Sequence, residues 1–361
     1  MYDLDSYWRI VGGNYTTIPQ FFKENGYISI GAGKIYHSGQ SNGNNDNDYS
    51  WSEPAHREPG DEKWESKAHS WQIAEPEENA ATPQRDELLR DFAVEKLQEL
   101  APGGVSGEQP FFLGVGFHRP HLPLVAPREF FDLYNDTEVN IAPNPHVPHN
   151  LPNIAYSTWG ELRDYDDVKA LNIPTEYNTT LPDDFAINLR RAYYASTSFV
   201  DSLFGDLLAE VDRLQLSNNT IVIVFSDNGY QLGEHSEWCK HTNLDIAARV
   251  PIMMRVPGVT DGGVTSSAFV ELVDIFPTLV EASGLGQLPV CPPSSYDVML
   301  CHEGHSFLAL AEGATQWKDA AYFQYMRNSG KEMGYAIRTA EYQYVRWVGF
   351  RLERNIAMKF V

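Results

Sequence analysis

Ile221-Val222-Ile223-Val224-Phe225 runs directly into Ser226-Asp227-Asn228-Gly229, and this stretch decides the fold. Five consecutive apolar residues leave no polar face, so the segment reads as a strand buried on both sides, as central strands of a parallel α/β sheet are. Upstream, from Pro182-Asp183-Asp184 to about Leu216, the residues Phe185, Leu189, Ala192, Ser196, Phe199, Leu203, Leu207, Val211 and Leu214 recur at three- and four-residue spacing. That period predicts one long helix. Helix, a tight Asn218-Asn219 turn, then a buried strand is the alternation of an α/β protein.

Working outward, Thr17 to Gly26 reads as a short helix with Pro19 in its first turn, followed by a strand at Tyr27–Ile30. Asp86 to Leu100 forms an amphipathic helix with Leu89, Phe92, Ala93, Leu97 and Leu100 on one face, and Phe111 to Phe117 is the next strand. Val250 to Val256 is a further strand and Val273 to Ala282 a further helix, while Gly334–Thr339 and Tyr342–Val348 make a hairpin in a small C-terminal unit. The polar tract from Gly39 to Gln84 reads as a long surface excursion, and Pro120 to Pro182 as largely irregular.

Composition narrows the function. The 361 residues carry a net charge of −22, which excludes the basic footprint needed to wrap nucleic acid or dock on anionic lipid. No apolar run approaches the ~18 residues of a membrane helix. The first residues, Met1-Tyr2-Asp3-Leu4-Asp5, are not a signal peptide. Sequons at Asn14, Asn135, Asn178 and Asn218 nevertheless point to the secretory route, as does the spacing of Cys291 and Cys301, which suits a local disulfide and leaves Cys239 free.

In open α/β sheets, ligands bind beyond the carboxyl ends of the strands. Here those ends deliver Lys34 and His37, then His118-Arg119-Pro120-His121, then Asp227-Asn228, with Lys240 in the following loop. Asp227 and Asn228 are hard oxygen donors suited to Ca²⁺ or Mg²⁺. Lys34, His37, His118 and Lys240 suit a tetrahedral oxyanion, and His118 can also donate a proton. Singly, each reads as a turn or a solvated loop; their joint occurrence at strand exits marks a site.

These segments resemble the sulfatase family of the alkaline-phosphatase-like superfamily. The resemblance runs through Thr17-Ile18-Pro19-Gln20 to Gly33-Lys34, Pro110-Phe111-Phe112-Leu113 to His121, Leu181-Pro182 to Leu216, Ser226-Asp227-Asn228-Gly229 to His235, Asp274 to Leu279, Cys291 to Cys301, and Met333-Gly334-Tyr335 to Phe350. It implies a three-layer α/β/α sandwich with a mostly parallel central sheet over residues 1–312 and a small α+β subdomain over 313–361. It also implies Ca²⁺ held by Asp227 and Asn228, a formylglycine nucleophile, and Lys34, His37, His118 and Lys240 as catalytic residues. The implied substrate is a sulfated glycosaminoglycan, heparan or dermatan sulfate carrying 2-O-sulfated iduronate, and the implied place is the lysosome or the secreted fraction. No nucleic acid or membrane partner follows.

Two departures set further expectations. The family's nucleophile comes from Cys-x-Pro-Ser-Arg, matured by a formylglycine-generating enzyme, and its other metal ligands come from an Asp-Asp pair after the first strand. Neither precedes Lys34. Cys291-Pro292-Pro293-Ser294-Ser295 imitates the motif but aligns with the disulfide loop. The chain therefore reads as a middle portion whose nucleophile lies upstream, inactive as it stands. A noncatalytic glycan-binding protein of the same fold is the rival reading. A phosphate-ester hydrolase would need more metal ligands than His235 and His241 supply, and Arg338 is a candidate for the sugar carboxylate or for a structural role.

Overall fold

The structure, a computed structural model, describes residues 7–11, 13–37, 39–134, 138–295, 297–349 and 355–360. Its strands are β1 (Ile28–Gly33), β2 (Trp71–Ala74), β3 (Phe111–Gly116), β4 (Leu124–Pro127), β5 (Val222–Phe225), β6 (Gln231–Leu232), β7 (Trp238–Cys239), β8 (Ile252–Arg255), β9 (Ala320–Arg327), β10 (Glu332–Thr339), β11 (Gln343–Gly349) and β12 (Asn355–Phe360). The helices that position the site are α1 (Ile18–Glu24), α2 (Arg85–Ser106), α3 (Asp183–Arg213) and α4 (Ile275–Ala282).

β1 and β3 pair in parallel, from Ile28 opposite Phe111 to Gly33 opposite Gly116. β5 pairs with β8, and here the expectation of parallel neighbours fails: Val222 lies opposite Arg255 and Phe225 opposite Ile252, so the pair is antiparallel. Helices cover the β1–β3 pair on both faces, and one of these layers also covers the β5–β8 pair. On one face Phe21 and Phe22 of α1 and Ile275, Leu279 and Val280 of α4 form a cluster that takes in Phe112 of β3 together with Ile221, Ile223 and Met254. On the other face Leu97 and Ala101 of α2 and Val211 of α3 pack with Leu216, Phe111 and Leu113. This is the three-layer arrangement, with apolar stripes of helices closing both sides of a sheet.

Each helix has a local cause. In α1 the Thr17 hydroxyl accepts the Gln20 N–H at 3.1 Å, and Pro19 occupies the first turn, where its missing donor is not needed. Helix α2 continues past the Leu100 expected from periodicity, through Pro102, and ends at Gly107 in the left-handed region. Helix α3 buries Leu189, Ala192, Ala195, Phe199 and Leu203 on one face, as its spacing predicts.

Two other expectations are corrected. β5 is only half-buried and Phe225 is 46% exposed, because the strand bonds to β8 on one side and borders an open cleft on the other. The Gly39–Gln84 tract is not merely a surface excursion. Its indoles are too large and apolar to leave in water: Trp51 and Trp64 are buried, and β2 joins β4 in a parallel pair. Trp51 packs so closely on β1 that a Cβ at Gly31 would lie 2.6 Å from its ring.

The C-terminal strands form an antiparallel sheet in the order β12-β11-β10-β9. Its Ala336, Val345 and Trp347 pack against Leu151, Ala155 and Leu244. Lys318 joins it to the head of α4, its ammonium 2.7 Å from Glu271 and 2.6 Å from the buried Asp274. Cys291 and Cys301 form the expected disulfide with Cα atoms 4.9 Å apart, and Cys239 is free and buried. Asn14, Asn178 and Asn218 are exposed, and Asn135 lies outside the described residues. Among the described residues no helix is long and apolar enough to cross a membrane.

Candidate functional site

The carboxyl ends of β1, β3 and β5 open on one end of a cleft of about 1810 Å³, where Lys34, His37, His118, His121, Asp227, Asn228 and Lys240 all line the wall. The sequence thus predicted a grouping that the backbone brings together. Lys34 reaches it because Gly33 turns with φ +75° and the Lys34 N–H donates to the Gly116 carbonyl at 2.7 Å. Only glycine fits there, since a Cβ at Gly33 would sit 2.3 Å from the Gly116 oxygen.

His118 is held by a residue that sequence reading did not single out. Asp86, buried in the first turn of α2, accepts the backbone N–H groups of His118 and Arg119, each at 2.9 Å, and lies 3.3 Å from His118 Nδ1. Burial pushes the Asp86 carboxyl up, but the His118 hydrogen bond and the Arg119 charge outweigh it and hold it below its ordinary value. His118 itself is pushed below the usual histidine range by burial, with Asp86 pulling the other way.

Asp227 is exposed at the end of β5, and Asn228 beside it is half-buried. The turn is fixed by the Ser226 hydroxyl, which donates to the Asn228 carbonyl at 2.8 Å, and by the Gly229 N–H, which donates to Ala247 at 2.9 Å. Lys240 follows the short β6–β7 hairpin. Burial and the nearby Lys240 charge lower the Lys34 ammonium from its ordinary value, while Asp227 and Glu161 oppose them. Such mutual influence places these four side chains in one electrostatic neighbourhood. His37 is exposed on the same wall, its carbonyl accepting from Asn42 at 2.5 Å.

Glu161, on the helical turn Gly160–Arg163, is the second residue that sequence reading missed. Its carboxylate lies 2.8 Å from His121 Nε2, 3.3 Å from Lys240 Nζ and 3.9 Å from His241 Nε2. Burial pushes it up, but the His121 hydrogen bond and the three cationic neighbours hold it down at about 2. His121 Nδ1 is 2.8 Å from the Leu122 carbonyl, so both ring nitrogens face acceptors. Arg338 is paired with Asp245 at 3.1 Å, which fits its structural reading.

The resemblance implies two groups, a metal and a formylglycine. Asp227 and Asn228 offer one carboxylate and one amide, short of the six to eight oxygens that Ca²⁺ takes, and among the described residues no cluster of three or more acidic, histidine or cysteine side chains is gathered for a metal. The pair alone does not make the centre. Nor does a cysteine fit the nucleophile: Cys291 and Cys301 are spent in the disulfide, and burial pushes the Cys239 thiol up to about 12.

A sequence model described as "Sulfatase" matches residues 2–285, and one described as "N-sulphoglucosamine sulphohydrolase, C-terminal" matches residues 233–354. Iduronate 2-sulfatase of Mus musculus is 38% identical over 97% of this chain and 73% of its own length. The Homo sapiens protein of the same name is 37% identical over 99% of this chain and 75% of its own. Among solved structures, a phosphonate monoester hydrolase from Silicibacter pomeroyi superposes with a TM-score of 0.62 at 18% identity over 94% of this chain and 75% of that one. A 2-O GAG sulfatase superposes with a TM-score of 0.59 at 16% identity over 96% and 66%. The architecture is thus the alkaline-phosphatase-like α/β fold with an antiparallel C-terminal sheet, and with a family match spanning most of its length the chain belongs to the sulfatase family.

Proposed function

We propose that this sulfatase removes the 2-O-sulfate of iduronate in heparan sulfate and dermatan sulfate, working in the lysosome or after secretion. The observation that carries the reading is the meeting of Lys34, His118 and Lys240 beside Asp227 at one end of the cleft. Identity of 37–38% to iduronate 2-sulfatases over nearly the whole chain supports the choice of sugar. Lys34 and Lys240 hold the sulfate oxygens as charge builds on them, while protonated His118, fixed by Asp86, gives its proton to the departing sugar oxygen. His37 contacts the same anion from the rim. The exposed sequons carry glycans.

None of the three cysteines is a usable nucleophile, and we assign that group to chain outside these residues, as a formylglycine made from cysteine by a formylglycine-generating enzyme. That same chain completes the oxygen ligands for Ca²⁺ around Asp227 and Asn228. The test is sulfate release from a 2-O-sulfated iduronate disaccharide. The chain as given should be silent, and a product extended upstream and coexpressed with the generating enzyme should turn over. Turnover by the short chain overturns the assignment. The lack of a usable cysteine also favours a second reading, a protein that binds sulfated glycans without cleaving them. An extended product that is silent yet binds the disaccharide would select it.

A further inference from the structure

A 2-O-sulfated iduronate carries two anions. Its carboxylate hangs from C5, opposite C2 across the pyranose ring, so the cations that hold the sulfate do not also hold the carboxylate. A second anchor is needed, a ring's width from the first. A planar carboxylate is matched best by the guanidinium fork, which donates two parallel N–H groups to it.

Among the described residues two arginines line the cleft, Arg119 and Arg249. Arg119 is buried and committed: its guanidinium donates to Glu65 at 2.9 Å and to the Val125 carbonyl at 3.2 Å. Arg249 is the opposite case. Its side chain is 77% exposed, and among the described ion pairs its one acid is Asp245, 3.9 Å away. That carboxylate stands closer, at 3.1 Å, to Arg338. One acid thus serves two guanidiniums, which leaves a local excess of positive charge at the cleft in a chain whose net charge is −22.

The topology sets where Arg249 stands. β8 runs antiparallel to β5, with Ile252 opposite Phe225, so the helical turn Asp245–Ala248 that feeds β8 arrives at the carboxyl end of β5, where Asp227 and Asn228 follow. The two segments meet tightly. The Gly229 N–H donates to the Ala247 carbonyl at 2.9 Å, and a Cβ at Gly229 would lie 2.7 Å from the Arg249 carbonyl oxygen. The Arg249 N–H is held in turn by the Asp245 carbonyl at 2.7 Å. The root of the side chain is therefore fixed against the turn that bears Asp227, while its charged end stays in solvent.

We propose that Arg249 grips the carboxylate of the sulfated sugar and so selects sulfated uronic acids over sulfated neutral sugars. The inference rests on the iduronate reading above and deepens it by naming the residue that reads the acid. The carboxylate is the same in substrate and transition state and takes no part in sulfur–oxygen cleavage. Loss of its anchor should therefore raise KM more than it lowers kcat.

The probes are the methyl glycoside of 2-O-sulfated iduronic acid and its carboxyl-reduced counterpart, the 2-O-sulfated idoside, assayed with the extended product coexpressed with the generating enzyme. The parent should prefer the uronate by at least about tenfold in kcat/KM. Arg249→Gln should cost the uronate about tenfold, mostly in KM, and leave the idoside within about twofold. Arg249→Lys, which keeps the charge and loses the fork, should fall between. Equal losses on both glycosides, or no loss on either, overturn the proposal. If the glutamine variant fails to fold by circular dichroism, the lysine variant decides by the same contrast. Binding of both glycosides to the extended product is read alongside by calorimetry. A silent product whose binding keeps the contrast sinks hydrolysis alone; turnover of the uronate without the contrast sinks the role of Arg249 alone; silence without the contrast sinks both.

Discussion

One carboxylate oxygen of Glu161 lies 3.3 Å from the Lys240 ammonium, making the only acid in contact with that lysine among the described ion pairs the residue that aims it into the cleft. Replacement by glutamine keeps the shape and removes the charge. In the extended, active product Glu161→Gln should lower kcat/KM about tenfold, about 1.4 kcal/mol of transition-state stabilisation. The pH profile should shift as well, because His241 loses the anion that favours its charged form against burial. An unchanged profile would leave Glu161 a bystander.

Asp86 raises the proton affinity of His118 against the effect of burial. Asp86→Asn removes that support, so the imidazole holds its proton only in stronger acid. The pH optimum of sulfate release should move downward. Two backbone N–H groups also lose a charged acceptor, and stability should fall by about 1–3 kcal/mol in a urea titration.

Glu237 predicts a pH dependence of folding. It is fully buried, accepts one N–H from Ser157 at 2.7 Å, and burial pushes its carboxyl up from 4.5 to about 8. A raised folded value means that the folded protein keeps the proton while the unfolded chain gives it up. Its contribution is therefore fully present below pH 4.5 and is lost as pH rises towards 8. Glu237→Gln, always neutral, should raise Tm relative to the parent at pH 8 and leave it unchanged at pH 4.5. A constant difference across that range would refute the assignment.

Gly33→Ala places a methyl group 2.3 Å from the Gly116 oxygen at a backbone φ of +75°. Stability should drop by more than about 1 kcal/mol, read as a lower Tm. Gly258→Ala is the control: φ is +79° there, but no atom lies within 4 Å of the added carbon, so its loss should be smaller.

What could be read from sequence followed periodicity and strand exits. The helix at Asp183–Arg213 and the strands before Lys34, His118 and Asp227 were legible because apolar spacing reports burial directly. The half-exposure of β5 was not, since an apolar run reads as buried whether or not a neighbour is present to bury it. Asp86 looked like an ordinary acid in the first turn of a helix, and its reach to His118 is a contact across 32 positions. Glu161 sits in a proline-rich stretch without period, where only folding brings it against Lys240 and His121.

Under the proposed function, the hold of Asp86 on the His118 loop makes helix α2 a support of the site without touching substrate. Leu89 on the same helix also lies against the turn that presents Lys34, within 2.4 Å of where a Gly33 side chain would begin. A substitution at Leu89 should therefore disturb the Lys34 turn and, through the first turn of α2, the His118 loop together. When natural variants of this protein are sorted by their harm, those in this helix belong with lesions of the active centre, although no chemistry-bearing side chain is changed.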